Sequence, residues 1–363
     1  MCRISILLLL ACYGAMSAVV DVPKYKMLDG REMPAIGLGT YLGFDKGGAV
    51  TSKDKQLRNV VMEAIDVGYR HFDTAAIYNT ESEVGEAIRM KIEEGVIKRE
   101  DVFLTTKLWN THHKREEVII AMKETLNKTG LDYVDLFLMH WPIGVNADYT
   151  HSDTDFMETW HAMEDMVKLG FTKSIGLSNF NKMQIQRVLN EGTIKPAALQ
   201  IEVQIMAIFL SFLVLVVNWY LHLMVHPQII QEELIAFAKA EGIVVMGYSP
   251  FGSLVMRFGM EFPGPKMDDP VLTSLAQKYG KTPAQIVLRW LVDRNVVPIP
   301  KTVNPKRLME NINIFDFKLE EDEIEKINQF DSNTRYTLPS FWQTHPYYPF
   351  EQIPNPIPDP FRS

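Results

Sequence analysis

From about residue 36 to about residue 312, short apolar runs of β-type composition alternate with segments whose apolar residues recur at helical spacing. The β-type runs fall at 36–38, 69–72, 102–107, 134–139, 172–177, 197–203, 243–248 and 296–299. Between them the period lengthens: Val118, Met122 and Leu126 share one helix face, and Phe156, Trp160, Met163 and Val167 share another. Gly68, Gly130, Gly170 and Gly242 stand where those helices should stop. Parallel strands need helical crossovers, and eight strands close a sheet on itself. The pattern therefore predicts an α/β fold, a (β/α)8 TIM barrel of eight strand–helix units.

Two segments flank the repeat. Ahead of it, "YKMLDGREMPAIGLG" places Asp29-Gly30 between two short runs, a hairpin that would plug the barrel floor. Behind it, "TLPSFWQTHPYYPFEQIPNPIPDPFRS" is rich in proline and aromatics and lacks periodicity, which predicts a long C-terminal loop lying over the body.

Length and composition narrow the class. With 363 residues, 47% of them apolar, the chain is large enough for one big domain with its own core. Its first residues, "MCRISILLLLACYGAMSA", combine one basic residue with an apolar stretch and small residues, the pattern of a secretory signal peptide, 1–18. Residues 19–363 then form a single barrel domain, in a secreted or luminal protein. Both cysteines, Cys2 and Cys12, lie in the leader, so the mature chain has neither disulfides nor thiolate metal sites, and no metal is expected. A sequon, Asn127-Lys128-Thr129, falls in what reads as a helix-to-strand loop. Net charge is −8 without a Lys/Arg block, which argues against a nucleic-acid partner and for a small molecule.

In a barrel of this kind, chemistry sits where side chains from several strands converge, at the C-terminal strand ends. Asp73 ends the second run in "YRHFDTAAIYNTE", Lys107 ends the third 34 residues later, and His140 ends the fourth after another 33. One barrel unit separates each from the next, and Tyr78 follows Asp73 on the loop. Singly, each has an ordinary structural reading: an ion pair, amphipathic packing, a capped carbonyl. Four polar residues at consecutive strand ends argue for a site. A buried Lys107 held by Asp73 would stay cationic and favour the phenolate of Tyr78, lowering its pKa from about 10 and making it a general acid.

Seven segments, "GYRHFDTAAIYNTE", "TTKLWN", "LFLMHWP", "SIGLSNF", "ALQIEV", "GYSPFGS" and "IPKTVNPKR", in this order, resemble the aldo-keto reductase superfamily across residues 24 to 350. The resemblance implies an NADPH-dependent reductase of small-molecule aldehydes and ketones. In it Tyr78 is the proton donor, Lys107 and Asp73 tune it, and His140 orients the carbonyl.

Gly37-Leu38-Gly39 with Gly43 precedes "FDKGGAV" and no helix, so it is not a Rossmann fingerprint. The resemblance instead assigns the carboxamide to Ser178, Asn179 and Gln200, nicotinamide stacking to Tyr248, and the pyrophosphate to Ser249, Pro250, Phe251 and Ser253. It gives the nicotinamide ribose to Gly39, Thr40 and Tyr41. Lys301, Thr302, Asn304 and Arg307 surround the adenosine 2′-phosphate, with Asn304 standing where a hydroxyl residue is implied, and Glu310 and Asn311 contact adenine. Two cations there would favour NADPH over NADH. Tyr41, Trp109, Trp141 and Trp342, joined by Phe341 and Tyr348 from the tail, make an aromatic pocket suited to apolar carbonyl compounds.

One segment breaks the rhythm. "QIMAIFLSFLVLVVNWYLHLMV", residues 204–225, holds 22 residues without Asp, Glu, Lys or Arg. As a membrane span it would divide the barrel and leave open sheet edges. As a loop helix it could dock on a membrane or partner. The reading favoured is an extraneous insert, such as translated unspliced sequence, because deleting it gives the continuous "LQIEVHPQIIQEELIAF". A catalytically weak, NADPH-binding regulatory barrel and a membrane-associated protein organised around 204–225 are the rival functions. The expected state is a monomer.

Overall fold

The computed structural model describes residues 19–45, 48–49, 53–203, 231–254, 266–331, 335, 337–357 and 359–361. Residues 1–18, expected to be a leader, and 204–225, expected to be an insert, lie outside the described residues. Within the described residues no helix is long and apolar enough to cross a membrane.

The opening hairpin forms as expected. Strand β1 (Lys24–Lys26) pairs antiparallel with β2 (Glu32–Pro34), and Gly30 turns the chain at φ 84°. Its Met33 packs with Phe103, Leu136, Leu138, Met246 and Val297, the inward residues of the barrel, so the hairpin closes the floor.

Then come β3 (Leu38–Gly39), the small antiparallel pair β4 (Phe44–Asp45) and β5 (Gly48–Ala49), α1 (Gln56–Val67), β6 (His71–Asp73), α2 (Glu81–Glu93), β7 (Phe103–Leu108) and α3 (Arg115–Thr129). Next are β8 (Val134–Met139), α4 (Phe156–Lys168), β9 (Thr172–Ser178), α5 (Lys182–Glu191), β10 (Ala198–Glu202) and α6 (Glu232–Ala240). The chain continues with β11 (Val244–Tyr248), α7 (Pro270–Tyr279), α8 (Pro283–Asp293), β12 (Val296–Ile299), α9 (Pro305–Ile312) and α10 (Glu321–Asn328). Eight strands pair in parallel in the order β3-β6-β7-β8-β9-β10-β11-β12. The ring is drawn shut between its ends, where Gly37 N donates to Pro298 O at 3.1 Å and Gly39 N to Pro300 O at 2.9 Å.

Strand β8 shows why these runs read as nearly continuous apolar sequence. Leu136 and Leu138 face the barrel interior, whereas Val134, Phe137 and Met139 join the larger core between sheet and helices. Both faces are buried, so only position 135 is polar. Helix ends follow local chemistry. Asn181 with Gln184 boxes the start of α5 and Thr282 with Gln285 that of α8, while Gly68, Gly130, Gly170 and Gly242 all adopt positive φ as expected.

Three expectations are corrected. The first strand starts at Leu38 and the second at His71, each two residues later than the composition implied. The last crossover holds two helices, α7 and α8, where the alternation implied one. The sequon is not a loop: Asn127 to Thr129 form the last turn of α3, with Thr129 buried and its hydroxyl donating to Thr125 O at 2.9 Å.

The tail does lie over the body. Thr337 N donates to the Glu202 carboxylate at the end of β10, Gln184 Nε2 to Tyr347 O at 2.9 Å, and His345 Nε2 lies 3.1 Å from Gly144 O.

Candidate active site

Asp73, Lys107 and His140 arrive on one face because each stands at or just beyond the C-terminal end of successive strands β6, β7 and β8. Lys107 is fully buried, and a buried ammonium is tolerable only if paired and hydrogen-bonded. Its Nζ donates to Asp73 Oδ1 at 2.7 Å and to Thr74 O at 2.9 Å. Gln200 Nε2 holds the second carboxylate oxygen, Oδ2, at 2.6 Å. Burial pulls the Lys107 pKa down from its ordinary value, while Asp73 and the more distant Glu81 hold it up. Glu81 is itself buried, accepting from Thr106 and Thr125 hydroxyls at 2.8 and 2.9 Å.

Tyr78 closes the group. Its ring centroid lies 4.9 Å from Lys107 Nζ, 5.7 Å from the His140 ring and 5.0 Å from the Tyr41 ring. All four residues anticipated on the catalytic face are therefore brought together. The expected acidification of the phenol is not found. Burial, then the Asp73 carboxylate and the neighbouring Tyr248 and Tyr41, push Tyr78 well above the ordinary tyrosine range. The ammonium beside it is already neutralised by Asp73, so its field does not outweigh desolvation. His140 moves the other way: burial and then the Lys107 charge hold its imidazole well below the usual histidine range, hence neutral at pH 7. Its Nδ1 has no hydrogen-bond partner among the described residues. The cluster thus offers a protonated phenol, a neutral imidazole and a paired ammonium.

Sequence reasoning missed the supports beneath these groups. Thr40 donates from its hydroxyl to Asp73 O at 2.9 Å, and its Oγ1 lies 3.1 Å from Thr80 Oγ1, which is 3.0 Å from Thr74 Oγ1. These threonines carry no local sequence signal.

The anticipated pocket residues converge beside His140. Trp109 meets its ring at 5.2 Å, Trp141 stacks at 6.5 Å, and Trp342 from the tail lies 6.0 Å from Trp109 and 6.2 Å from Trp141. Phe341 and Tyr348 join the same cluster, while Tyr41 packs on Tyr78.

The cofactor residues expected from the resemblance run as an arc along the strand ends. Asn179 Nδ2 donates to His140 O at 3.0 Å and to Ser178 Oγ at 3.1 Å, and Tyr248 Oη donates to Asn179 Oδ1 at 2.8 Å. Gln200, expected to face a carboxamide, gives its Nε2 to Asp73 Oδ2. Ser249 opens the following loop at φ 55°, Pro250 is buried and Phe251 half-buried, and the side chain of Ser253 lies outside the described residues. Gly39 of β3 pairs with Asp73 and bridges to Lys301, which brings the two ends of the arc together, with Thr40 and Tyr41 next in the chain.

At the far end Asn304 caps α9, its Oδ1 accepting from Lys306 N at 2.9 Å and Arg307 N at 3.3 Å. Thr302 is buried and its Oγ1 accepts from Asn304 N at 3.1 Å; Asn311 is buried in α9, and Glu310 pairs with Lys306 at 3.7 Å. Exposed Lys301 and Arg307 beside the positive end of α9 make a donor set that fits a dianionic phosphate.

The model of the Aldo/keto reductase family matches residues 35–332. The chain is similar to aldo-keto reductase AKR2E4 of Bombyx mori, at 42% identity over 330 residues, covering 91% of this chain and 99% of that one. It is similar also to aldo-keto reductase family 1 member A1 of Homo sapiens, at 38% identity, covering 88% of this chain and 96% of that one. Among solved structures, Bombyx mori AKR2E4 in complex with NADP superposes with a TM-score of 0.81 at 41% identity, covering 91% of this chain and all of that one. AKR2E5 complexed with NADPH superposes with a TM-score of 0.83 at 39% identity, covering 95% and 98%.

Proposed function

This chain belongs to the aldo/keto reductase family and is an NADP(H)-dependent oxidoreductase of aldehydes and ketones, and we propose that the cluster around Tyr78 carries its chemistry. The observation that carries this reading is the fully buried Lys107–Asp73 pair, 2.7 Å apart, set against the ring of Tyr78 with the neutral His140 beyond it.

Bound NADPH supplies a hydride from its nicotinamide ring. The chain's own residues do the rest. His140 donates a hydrogen bond from a ring N–H to the carbonyl oxygen and fixes its direction. Tyr78 Oη gives that oxygen its proton as negative charge develops there. The raised resting pKa keeps the phenol protonated until the transfer. The ammonium of Lys107 then stabilises the phenolate left behind, which is where its charge is needed. Asp73 and Gln200 hold that ammonium in place, and the indoles of Trp109, Trp141 and Trp342 exclude water around the reacting carbon.

Ser178, Asn179, Gln200 and Tyr248 would hold the nicotinamide end, Gly39 to Tyr41 its ribose, and Ser249 to Ser253 the pyrophosphate. Lys301 and Arg307 would hold the 2′-phosphate, with Asn304 retained as a helix cap and Glu310 and Asn311 near adenine. Each cation–phosphate bond of this kind is worth about 1.5–3 kcal/mol. Arg307→Ala should therefore weaken NADPH binding roughly 10- to 100-fold and leave NADH nearly unaffected. Quenching of intrinsic fluorescence by each cofactor measures both, and an equal loss for the two would remove Arg307 from the phosphate site.

Residues 1–18 we take as an export signal, the mature chain as a monomer, and 204–225 as an insert foreign to the working enzyme. The experiment that tests activity and insert together is NADPH oxidation with a panel of carbonyls, using the chain with and without residues 204–225. Turnover should be at least tenfold higher, and aggregation lower, without the segment. Inactivity of both forms would overturn the reductase assignment. Equal activity and solubility of both would overturn the reading of the insert.

A further inference from the structure

Helix α2 opens on Thr80-Glu81-Ser82-Glu83, the form of a capping box, in which the threonine hydroxyl would accept from the helix's own first N–H groups. In the fold Thr80 is the N-cap, yet its side chain makes no cap bond, and Glu83 Oε2 accepts from Arg58 N of α1 at 3.1 Å. The Thr80 hydroxyl is turned inward and fully buried, 3.1 Å from Thr40 Oγ1 and 3.0 Å from Thr74 Oγ1. Nothing in the form of a capping box announces that second use.

The available protons fix the direction of this chain of hydroxyls. Asp73 O is a carbonyl and only accepts, so Thr40 spends its one hydroxyl proton there, at 2.9 Å. The bond between Thr40 and Thr80 must then run from Thr80, and the bond between Thr80 and Thr74 from Thr74. All three side chains are buried, and three hydroxyls aligned one way strengthen one another. The chain ties three elements, because Thr40 follows β3, Asp73 ends β6 and Thr80 starts α2. Thr74 and Thr80 enclose the loop that carries Tyr78, which turns into the helix through Asn79 at φ 55°. The same loop reaches the ammonium, since Thr74 O accepts from Lys107 Nζ at 2.9 Å. On the other side Thr40 precedes Tyr41, whose ring lies 5.0 Å from that of Tyr78.

We propose that Thr80 is a positioning residue for the proton transfer, a latch that closes the loop 74–80 at its base and so aims the Tyr78 hydroxyl at the reacting oxygen. Thr80 acts through Tyr78, and its role rests on the reductase reading of the Tyr78 cluster. Without the Thr80 hydroxyl, Thr74 becomes a buried donor that has lost its acceptor, and the loop shifts to find another. The phenol moves with the loop, and so does Thr74 O, which holds Lys107. Proton transfer demands close geometry, so a small displacement slows the chemistry while the aromatic pocket and the arc of cofactor residues stay in place. Helix α2 forgoes an ordinary cap for this, a local rule broken where the site needs a fixed loop.

The test measures single-turnover NADPH oxidation with 4-nitrobenzaldehyde, NADPH affinity by fluorescence quenching and the urea midpoint in wild type, Thr80→Val, Thr80→Ser and Thr74→Val. Valine keeps the shape of threonine and removes the hydroxyl. Thr80→Val should slow the transfer about 10- to 100-fold, the scale of a misplaced reacting group, with NADPH affinity within about twofold of wild type. Thr80→Ser returns the hydroxyl and should recover the rate to within about threefold of wild type. Thr74→Val removes only the first bond of the chain and should slow the transfer about threefold to tenfold. If Thr80→Val does not fold, Thr74→Val decides, and an unchanged rate there would overturn the proposal. In a Tyr78→Phe background Thr80→Val should cost less than about a further twofold, because the group it positions is gone. The same loss in both backgrounds, or a lowered urea midpoint with the wild-type transfer rate, would make Thr80 a purely structural residue and overturn this proposal alone. A Tyr78→Phe chain as fast as its parent would instead overturn the reading of the cluster on which it stands.

Discussion

Replacing Tyr78 by phenylalanine should lower kcat for carbonyl reduction by about 10²- to 10⁴-fold, the range that one positioned general acid contributes. The substitution removes a hydroxyl and little else. The ring contacts with Tyr41 at 5.0 Å and His140 at 5.7 Å, and the placement over Lys107, involve the ring and survive it. NADPH affinity, followed by fluorescence quenching, should therefore stay near wild type, so that kcat and kcat/KM fall together. The hydroxyl is also what distinguishes the raised resting pKa from the lowered one that charge proximity alone would give. A difference spectrum between wild type and Tyr78→Phe, recorded without cofactor, should show no phenolate absorption from position 78 below about pH 10. The sign follows from the direction: burial and Asp73 disfavour the phenolate, so the folded protein keeps the proton through the whole neutral range. A variant as fast as its parent would place the proton donor elsewhere.

The direction of that shift was not legible in the sequence, and the reason separates what a sequence discloses from what it does not. The positions of Asp73, Lys107 and His140 could be read because a barrel repeats, and residues one unit apart at strand ends must face the same mouth. Strand β8 is legible at 134–139 because both of its faces are buried and the apolar run has sharp ends. The two-residue displacement of β3 and β6 arises where short strands owe their limits to a neighbour's carbonyls, which composition does not encode. Tyr78 needed more: its protonation depends on how deeply folding buries it and on whether Lys107 is already compensated. Gln200 holds Asp73 across 127 residues of sequence, and Phe361 reaches Trp109 from a proline-rich tail without periodicity. Asn304 is read from the sequence only as a phosphate contact, although its capping role does carry a local signal. An Asn-Pro pair opening a helical pattern is a cap signal, and it explains why this side chain is engaged by its own helix.

The second large effect should come from Lys107→Met, and it has two parts that can be separated. The substitution leaves the Asp73 carboxylate buried with Gln200 as its main remaining side-chain donor, and breaking a buried pair from one side costs about 3–5 kcal/mol. The urea midpoint should fall accordingly. Turnover should fall as well, because the phenolate left after proton transfer would lose its cation. Adding Asp73→Asn removes the stranded charge yet keeps an oxygen for Gln200 Nε2, so the double variant should recover most of the lost stability. It should not recover activity, since no ammonium then faces Tyr78. Urea titration followed by intrinsic fluorescence and single-turnover NADPH oxidation read the two quantities on the same preparations. If the double variant regained turnover along with its midpoint, Lys107 would be a structural ion-pair partner, and the proton chemistry assigned to this cluster would have to do without its charge. If the midpoint stayed low while Asp73 was neutral, the cost would lie in packing around the lysine stem. The electrostatic account of why an acid ends β6 would then fail with it.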